Sequence, residues 1–297
     1  MKETIRAEEA GACYGVQRAL DMALDEANSK RDVCTLGPLI HNPGVVAQLE
    51  ECGVRAVSSV DEVPAGHTVI IRSHGVTPEV KRQILDRGLE IVDATCPHVA
   101  RAQKAAATLA SEGMTVIVVG EEGHPEVEGL VAHAREAERL TRSANDPASA
   151  SDEATRVMVV ATPADLPATL QPPVGVVVQT TQTRDALNAV LDALAARGIE
   201  PSVKDTICSA TRKRQDAAAA LARTVDACVV IGGRNSSNTT RLADICRSCC
   251  ERTYHVEGAD ELDPAWFAGC QKIGVTAGAS TPEDQVEAVL RTLRAMD

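Results

Sequence analysis

Aromatic side chains are nearly absent from this chain: two tyrosines, one tryptophan and one phenylalanine among 297 residues. Tyr14, Tyr254, Trp266 and Phe267 are too few for the base-stacking platform that single-strand nucleic-acid binders use. They also leave the core to Val, Ile, Leu and Ala. Positive charge is scarce as well, with 30 Lys and Arg against 42 Asp and Glu, a formal net charge of −12. That balance argues against a generic nucleic-acid or anionic-membrane surface. An anionic small molecule still fits, provided that it meets a locally favourable pocket. No apolar run approaches the ~20 residues that span a bilayer. The opening stretch, Met1 to Ala10, lacks the apolar region of an export signal. The reading is therefore a cytoplasmic protein with no nucleic-acid and no membrane partner. Hydrophobic residues make up 44%, which places the chain among globular proteins rather than disordered or fibrous ones.

Cysteine is plentiful. Ten cysteines in a chain without an export signal read as thiols or metal ligands, not disulfides. Three of them share a local setting. Asp93-Ala-Thr-Cys96 and Asp205-Thr-Ile-Cys208 both carry Asp three residues before the cysteine, a base five after it (Arg101, Lys213) and Gln seven after it (Gln103, Gln215). Cys13 repeats part of this, with Arg18 five residues on. Each sits where a strand gives way to a helix. There, unpaired N–H groups and the positive end of the helix dipole favour thiolate. The repetition predicts three similar units, each donating one ligand to a shared centre. Three thiolates suit zinc with an open position or an iron–sulfur cluster with one iron not bound by protein. Cys34, Cys52, Cys228 and Cys270 read as small buried hydrophobes. Cys246-x-x-Cys249-Cys250 reads as a helix end with incidental thiols.

Short β-branched runs alternate with alanine- and leucine-rich stretches. The clearest strands are Thr68–Arg72, Thr115–Val119, Val157–Val160, Val174–Val178, Ala227–Ile231 and Lys272–Val275. This alternation predicts α/β architecture with mostly parallel sheets, in which ligands sit at the carboxyl ends of strands. Helix-start signals occupy those ends, as in His41-Asn-Pro43, Ser73-His-Gly-Val-Thr-Pro78, Gly123-His-Pro-Glu126 and Ser280-Thr-Pro-Glu283. Polar turns follow other strands, at Gln179-Thr-Thr181 and Asn235-Ser-Ser-Asn238. If the ends converge, they make an anion cradle. His41, His74 and His124 at such turns read as site residues, anion-binding rather than metal-ligating, while His67, His98, His133 and His255 read as ordinary polar residues. Glu126 suits either helix-dipole complementation or a general acid. Ser236 to Asn238 and Thr180-Thr181 read, in isolation, as caps. Arg212-Lys213-Arg214 reads as a solvated helix face. Leu140 to Thr155 reads as a surface loop. The boundaries place α/β units at 13–95, at 96–204, and at 205–297 together with 1–12.

Taken in order, Gly11-Ala-Cys13-Tyr-Gly-Val, His41-Asn, Arg72-Ser-His-Gly-Val, Asp93-Ala-Thr-Cys96-Pro, Gly123-His-Pro-Glu-Val-Glu-Gly129, Gln179-Thr-Thr, Asp205-Thr-Ile-Cys208-Ser-Ala-Thr with Arg214-Gln215, Asn235-Ser-Ser-Asn and Thr276-Ala-Gly-Ala-Ser280 resemble the 4-hydroxy-3-methylbut-2-enyl diphosphate reductase family. The resemblance runs from residue 11 to residue 283. It implies a pseudo-threefold trefoil of three α/β units around a 4Fe-4S cluster held by Cys13, Cys96 and Cys208, with one iron not ligated by protein. It implies that His41, His74, Ser236, Ser237, Asn238 and Ser280 grip a diphosphate, joined by His124, and that Thr180 touches the substrate hydroxyl. Glu126 would donate a proton, with His124 and Thr180 beside it. The implied reaction is reductive removal of that hydroxyl to give isopentenyl and dimethylallyl diphosphate, the last step of the non-mevalonate pathway. Electrons would come from an external one-electron donor such as ferredoxin or flavodoxin. The rival readings are a non-redox 4Fe-4S dehydratase, which needs no reductant, and a metal-binding redox sensor, which needs no diphosphate.

Overall fold

The computed structural model describes residues 2–29, 32–145 and 156–296. Strands and helices alternate: β1 (Glu3–Arg6), α1 (Tyr14–Asn28), β2 (Val33–Leu36), α2 (Pro43–Glu51), β3 (Val54–Val57), β4 (Thr68–Ile71), α3 (Pro78–Asp86), β5 (Glu90–Asp93), α4 (Pro97–Ser111), β6 (Thr115–Val119), α5 (Pro125–Asn145), β7 (Val157–Val160), β8 (Val174–Val178), α6 (Arg184–Ala195), β9 (Ser202–Lys204), α7 (Ser209–Ala222), β10 (Ala227–Ile231), α8 (Ser237–Cys249), β11 (Thr253–Val256), β12 (Lys272–Ala277) and α9 (Glu283–Arg294). They form three four-stranded parallel sheets, ordered β3-β2-β4-β5, β7-β6-β8-β9 and β11-β10-β12-β1. The α/β class with parallel sheets, expected from the alternating pattern, is borne out.

One topology is used three times. In each sheet the first and third strands of the set lie in the middle, the second flanks one side and the fourth flanks the other. In the last sheet the fourth strand is β1, from the start of the chain, in parallel register from Glu3 opposite Lys272 to Arg6 opposite Val275. The central strands are almost wholly buried. Covered on both faces by helices, they need continuous Val and Ile runs rather than alternation. Edge strands such as β5 and β9 are short, with exposed ends.

The core is aliphatic, as the shortage of aromatics requires. Val118, Leu130 and Val177 pack in one cluster, and Val119, Val178 and Leu187 in another. Of the four aromatics only Phe267 is fully buried, with Tyr254 stacked on Trp266 beside it, ring centroids 4.4 Å apart. Among the described residues no helix is long and apolar enough to cross a membrane.

Two expectations are corrected here. Leu140 to Asn145 is not loop but the last turn and more of α5. An i,i+4 pair of Arg142 with Glu138 and a hydroxyl bond from Thr141 to the Ala137 carbonyl carry the helix on. The remainder of the stretch read as a loop lies outside the described residues. Cys34, Cys228 and Cys270 are buried as expected, but Cys52 is exposed, because it ends α2 at a tight glycine turn on the surface.

Candidate active site

The fourth strand of each sheet leads straight into a cysteine. Cys13, Cys96 and Cys208 are the N-cap residues of α1, α4 and α7, and none uses its side chain as a cap. Each cysteine N–H donates to a carbonyl just past the third strand of a sheet: Cys13 to Ala279 at 3.0 Å, Cys96 to Ser73 at 2.9 Å and Cys208 to Thr180 at 2.9 Å. The repeated hydrogen bond fixes the three thiols at equivalent places, and all three line one cavity of about 680 Å³, open mouth included.

Gly15 shows how closely the sulfurs approach. A Cβ at this helical position would lie 2.5 Å from Cys96 Sγ, with Cys13 Sγ at 4.0 Å. The space that a methyl group would fill is already occupied by the thiols. Burial pushes the Cys96 thiol up, the N–H groups of His98 and Val99 pull it down, and the neighbouring thiols Cys13 and Cys208 raise it again. The N–H groups at the helix start favour the Cys96 thiolate, as the sequence suggests, and burial opposes them. Three crowded sulfurs in a dry site ionise together only when a cation joins them. The donor set suits iron or zinc.

The opposite wall is polar. His41 follows β2, His124 and Glu126 follow β6, and Ser236 to Asn238 follow β10. These are the three first strands. His74, Thr180 and Ser280 follow the three third strands β4, β8 and β12. All of them line the cavity with the thiols. The imidazoles of His41 and His74 have centroids 4.4 Å apart, and each lies 5.6 Å from His124. Burial drives His124 down to about 4, with His41 and Arg241 adding to this and Glu121 opposing it. Burial likewise lowers His41 and holds His74 well below the usual histidine value, so the three rings are neutral near pH 7. The ring nitrogens of these histidines come within 4.8 Å of one another, close enough to surround a cation. The His124 tautomer speaks for an anion instead. The Glu126 N–H donates to His124 Nδ1 at 3.1 Å, so the ring proton is on Nε2, which is a donor. Both nitrogens of His41, Nδ1 of His74 and both side-chain polar atoms of Asn238 are buried without a protein partner. Buried polar atoms are rarely left unpaired, and these line the cavity that the thiols share.

Glu126 is 1% exposed. Its Oε1 accepts from the Thr180 N–H at 2.6 Å and its Oε2 from the Thr180 hydroxyl at 2.8 Å. Burial raises its pKa, and the two Thr180 donors hold it back. A carboxyl group whose pKa is raised by burial and that faces a cavity is suited to be a general acid. Ser236 caps α8 by accepting from the Thr239 N–H, the Ser280 hydroxyl donates to the His41 carbonyl at 3.0 Å, and the Asn42 side chain donates to the Ser280 carbonyl at 3.0 Å. Ser237 donates to Glu121, whose other oxygen takes Arg241 Nη2 at 2.6 Å, while Arg241 Nη1 donates to Thr181.

Several of these residues escape the sequence reading. His98, taken as an ordinary polar residue, lines the cavity. Glu121 and Arg241 carry no motif, and Gly15 stands in the motif around Cys13 with no role read for it. Arg212 and Lys213 are exposed as expected for a solvated helix face, but Arg214 is 4% exposed because it turns inward under the Cys13 loop. Its Nη2 donates to the Gly11 carbonyl at 2.7 Å.

The fold and the cavity define a three-sheet α/β protein with a thiol-lined pocket facing a wall of hydrogen-bond donors. A family model described as LytB protein matches residues 4–294, and the chain belongs to that family. It is 46% identical over 298 residues to the 4-hydroxy-3-methylbut-2-enyl diphosphate reductase of Geobacter sp. (strain M21), covering 99% of this chain and 98% of that one. It is 45% identical over 295 residues, at the same coverages, to the enzyme of that name from Geobacter sulfurreducens. Among solved structures it is similar to (E)-4-hydroxy-3-methyl-but-2-enyl diphosphate reductase, the terminal enzyme of the non-mevalonate pathway, with 39% identity, TM-score 0.69 and coverage of 99% and 100%. It is also similar to the E-1-hydroxy-2-methyl-but-2-enyl-4-diphosphate reductase from Plasmodium falciparum, with 25% identity, TM-score 0.86 and coverage of 98% and 88%. The family resemblance carried by the scattered motifs is borne out.

Proposed function

We propose that this protein reduces 4-hydroxy-3-methylbut-2-enyl diphosphate to isopentenyl and dimethylallyl diphosphate, with release of water. The observation that carries this reading is the shared cavity: three thiols on one side, and on the other a buried acid with unpaired imidazole and amide groups. We assign Cys13, Cys96 and Cys208 as ligands of a 4Fe-4S cluster with one iron not held by protein. When bound, such a cluster supplies electrons and a Lewis-acidic iron. His41, His74, Ser236, Ser237, Asn238 and Ser280 hold the diphosphate, and His124 adds a donor through Nε2. These fixed groups replace the water that the diphosphate loses on entry and hold the rest of the substrate in register. Thr180 orients Glu126 by two hydrogen bonds and contacts the substrate hydroxyl. Glu126 gives that hydroxyl a proton, so that it leaves as water rather than as hydroxide, and two electrons with a second proton, taken up at one of two allylic carbons, complete the reduction. No side chain here supplies two electrons, so an external carrier such as ferredoxin or flavodoxin does. The α/β units run 13–95, 96–204 and 205–297 with 1–12, each contributing one thiol, and the setting is cytoplasmic.

The test is anaerobic. Iron and sulfide per chain are measured together with consumption of the diphosphate, with and without reductant. Iron–sulfur loading and reductant-dependent consumption are expected, and Cys13→Ser, Cys96→Ser and Cys208→Ser should each lose both. Consumption without reductant, or a single-cysteine variant with a full cluster and full activity, sinks the proposal.

A further inference from the structure

A guanidinium keeps its charge inside a protein, so a buried one needs acceptors or anions around it. Arg214 has two acceptors, the carbonyls of Gly11 at 2.7 Å and Ala210 at 3.4 Å, and its Nε is buried without a partner. Both hydrogen bonds go to neutral carbonyls. Cys13, Glu9 and Cys208 lie in its electrostatic range. Gly11 is two residues before Cys13, and Arg214 is six after Cys208. The guanidinium therefore bridges the approaches to two of the three thiols.

The pseudo-threefold repeat shows that packing alone does not call for this charge. Six residues after Cys13 stands Ala19, and six after Cys96 stands Ala102. Both are 0% exposed. A methyl group fills this position in two copies of the unit, and only the third carries a buried cation. We infer that Arg214 is a positioning residue for the metal centre: its fixed charge, buried between the segments that carry Cys13 and Cys208, favours the electron-loaded, more negative state of the group those thiols bind. The inference rests on the proposed iron–sulfur function. A nearby positive charge stabilises added negative charge most strongly where water is excluded, and one electron entering the site is such a charge.

The test is the midpoint potential of anaerobically reconstituted protein, with iron and sulfide counted. Arg214→Gln removes the charge and should disfavour the electron-loaded state at least tenfold, about 59 mV more negative for one electron. Arg214→Lys keeps the charge while losing the guanidinium's fork, and should stay within about threefold of wild type. A merely structural role would move both variants alike. Equal shifts in the two, or a fully loaded Arg214→Gln within threefold of wild type, overturn the inference. If Arg214→Gln holds no iron, Arg214→Lys decides. A cooperatively folded Lys variant with wild-type iron and potential upholds the role of charge, and one without them refutes it. Wild-type protein that takes up no cluster overturns the proposed function itself, and is recognised because no substitution is involved.

Discussion

Substituting Gly15 by alanine separates the stability of the fold from the integrity of the thiol site. Gly15 lies in the first turn of α1 and is not among the glycines with positive φ, so the backbone does not require it. On helix propensity alone, alanine would stabilise α1 by about 1 kcal/mol. Against this, the new methyl would sit 2.5 Å from Cys96 Sγ and 3.3 Å from Cys96 Cβ. Overpacking of this kind costs about 1–3 kcal/mol, so the unloaded protein should stay within roughly 2 kcal/mol of wild type. The site fares differently. Cys96 Sγ avoids the methyl only by turning away, and a displaced ligand lowers metal affinity by at least the roughly 10–100-fold seen for lost supporting contacts. Urea unfolding of the unloaded chain gives the first quantity; iron and sulfide after anaerobic reconstitution give the second. Near-normal unfolding with most of the iron lost is the expected pair. Full iron and sulfide at wild-type stability would refute the argument that the sulfurs meet where Gly15 leaves room.

Two further perturbations address the acid and the histidines. Thr180→Val keeps the shape and the backbone N–H bond but removes the hydroxyl that donates to Glu126 Oε2. Stability should fall by about 1–2 kcal/mol, and the Glu126 pKa, already raised by burial, should rise further. The limb of the pH–rate profile that reports the acid then moves to higher pH, and an unmoved limb removes Thr180 from the proposed role. His124 titrates near 4 in the folded chain against 6.5 ordinarily. Above pH 6.5 both states leave it neutral. As pH falls from 6.5 towards 4 the unfolded chain binds a proton that the folded chain refuses, and roughly 3 kcal/mol of stability is lost. His41, Arg241 and Arg72 reinforce this shift, and Glu121 opposes it. Glu126 acts in the reverse sense: its raised pKa contributes stability at acid pH that is lost as pH rises through its folded value. His124→Gln should flatten the fall in the urea midpoint between pH 6.5 and 4, and a slope equal to wild type contradicts the assigned neutrality.

What could be read from the sequence follows burial. The central strands β4, β6, β8, β10 and β12 are almost wholly buried and appear as short runs rich in Val and Ile. Their ends follow from the Pro, Asn, Ser and Thr that start the next helix. The edge strands β5 and β9 give no such signal. Ser202–Lys204 has one partner strand, β8, and is largely exposed, so its composition is free to look like a loop. Arg214 fails for the opposite reason. Composition treats three consecutive bases as one solvated face, but successive residues on a helix point about 100° apart, and only tertiary packing decides which of them turns inward. The Glu121–Arg241 pair is equally invisible, since it joins residues 120 positions apart.

The cysteine repeat was legible because topology forces it. Each cysteine is the N-cap residue of the helix after the fourth strand of a sheet, and its N–H is tied to a carbonyl beyond a third strand. In a parallel sheet all carboxyl ends face the same way, so a residue just past a fourth strand and one just past a third strand lie on the same side. Cys96 is tied to the end of β4, its own neighbour in the sheet, and Cys13 to the end of β12, likewise its neighbour. Cys208 is tied to Thr180, beyond β8, the partner of β9. The thiol of each sheet is therefore fixed to the loop of the same sheet that presents His74, Thr180 or Ser280. Thiol and wall are coupled by one hydrogen bond in every unit, so a shift of any third-strand loop must also move a sulfur. Residues of the first-strand loops, His41, His124 and Ser236 to Asn238, have no such bond to a cysteine N–H. The His41 and His124 loops reach the thiols at one remove, through the Ser280 hydroxyl on the His41 carbonyl and through Thr180 on Glu126.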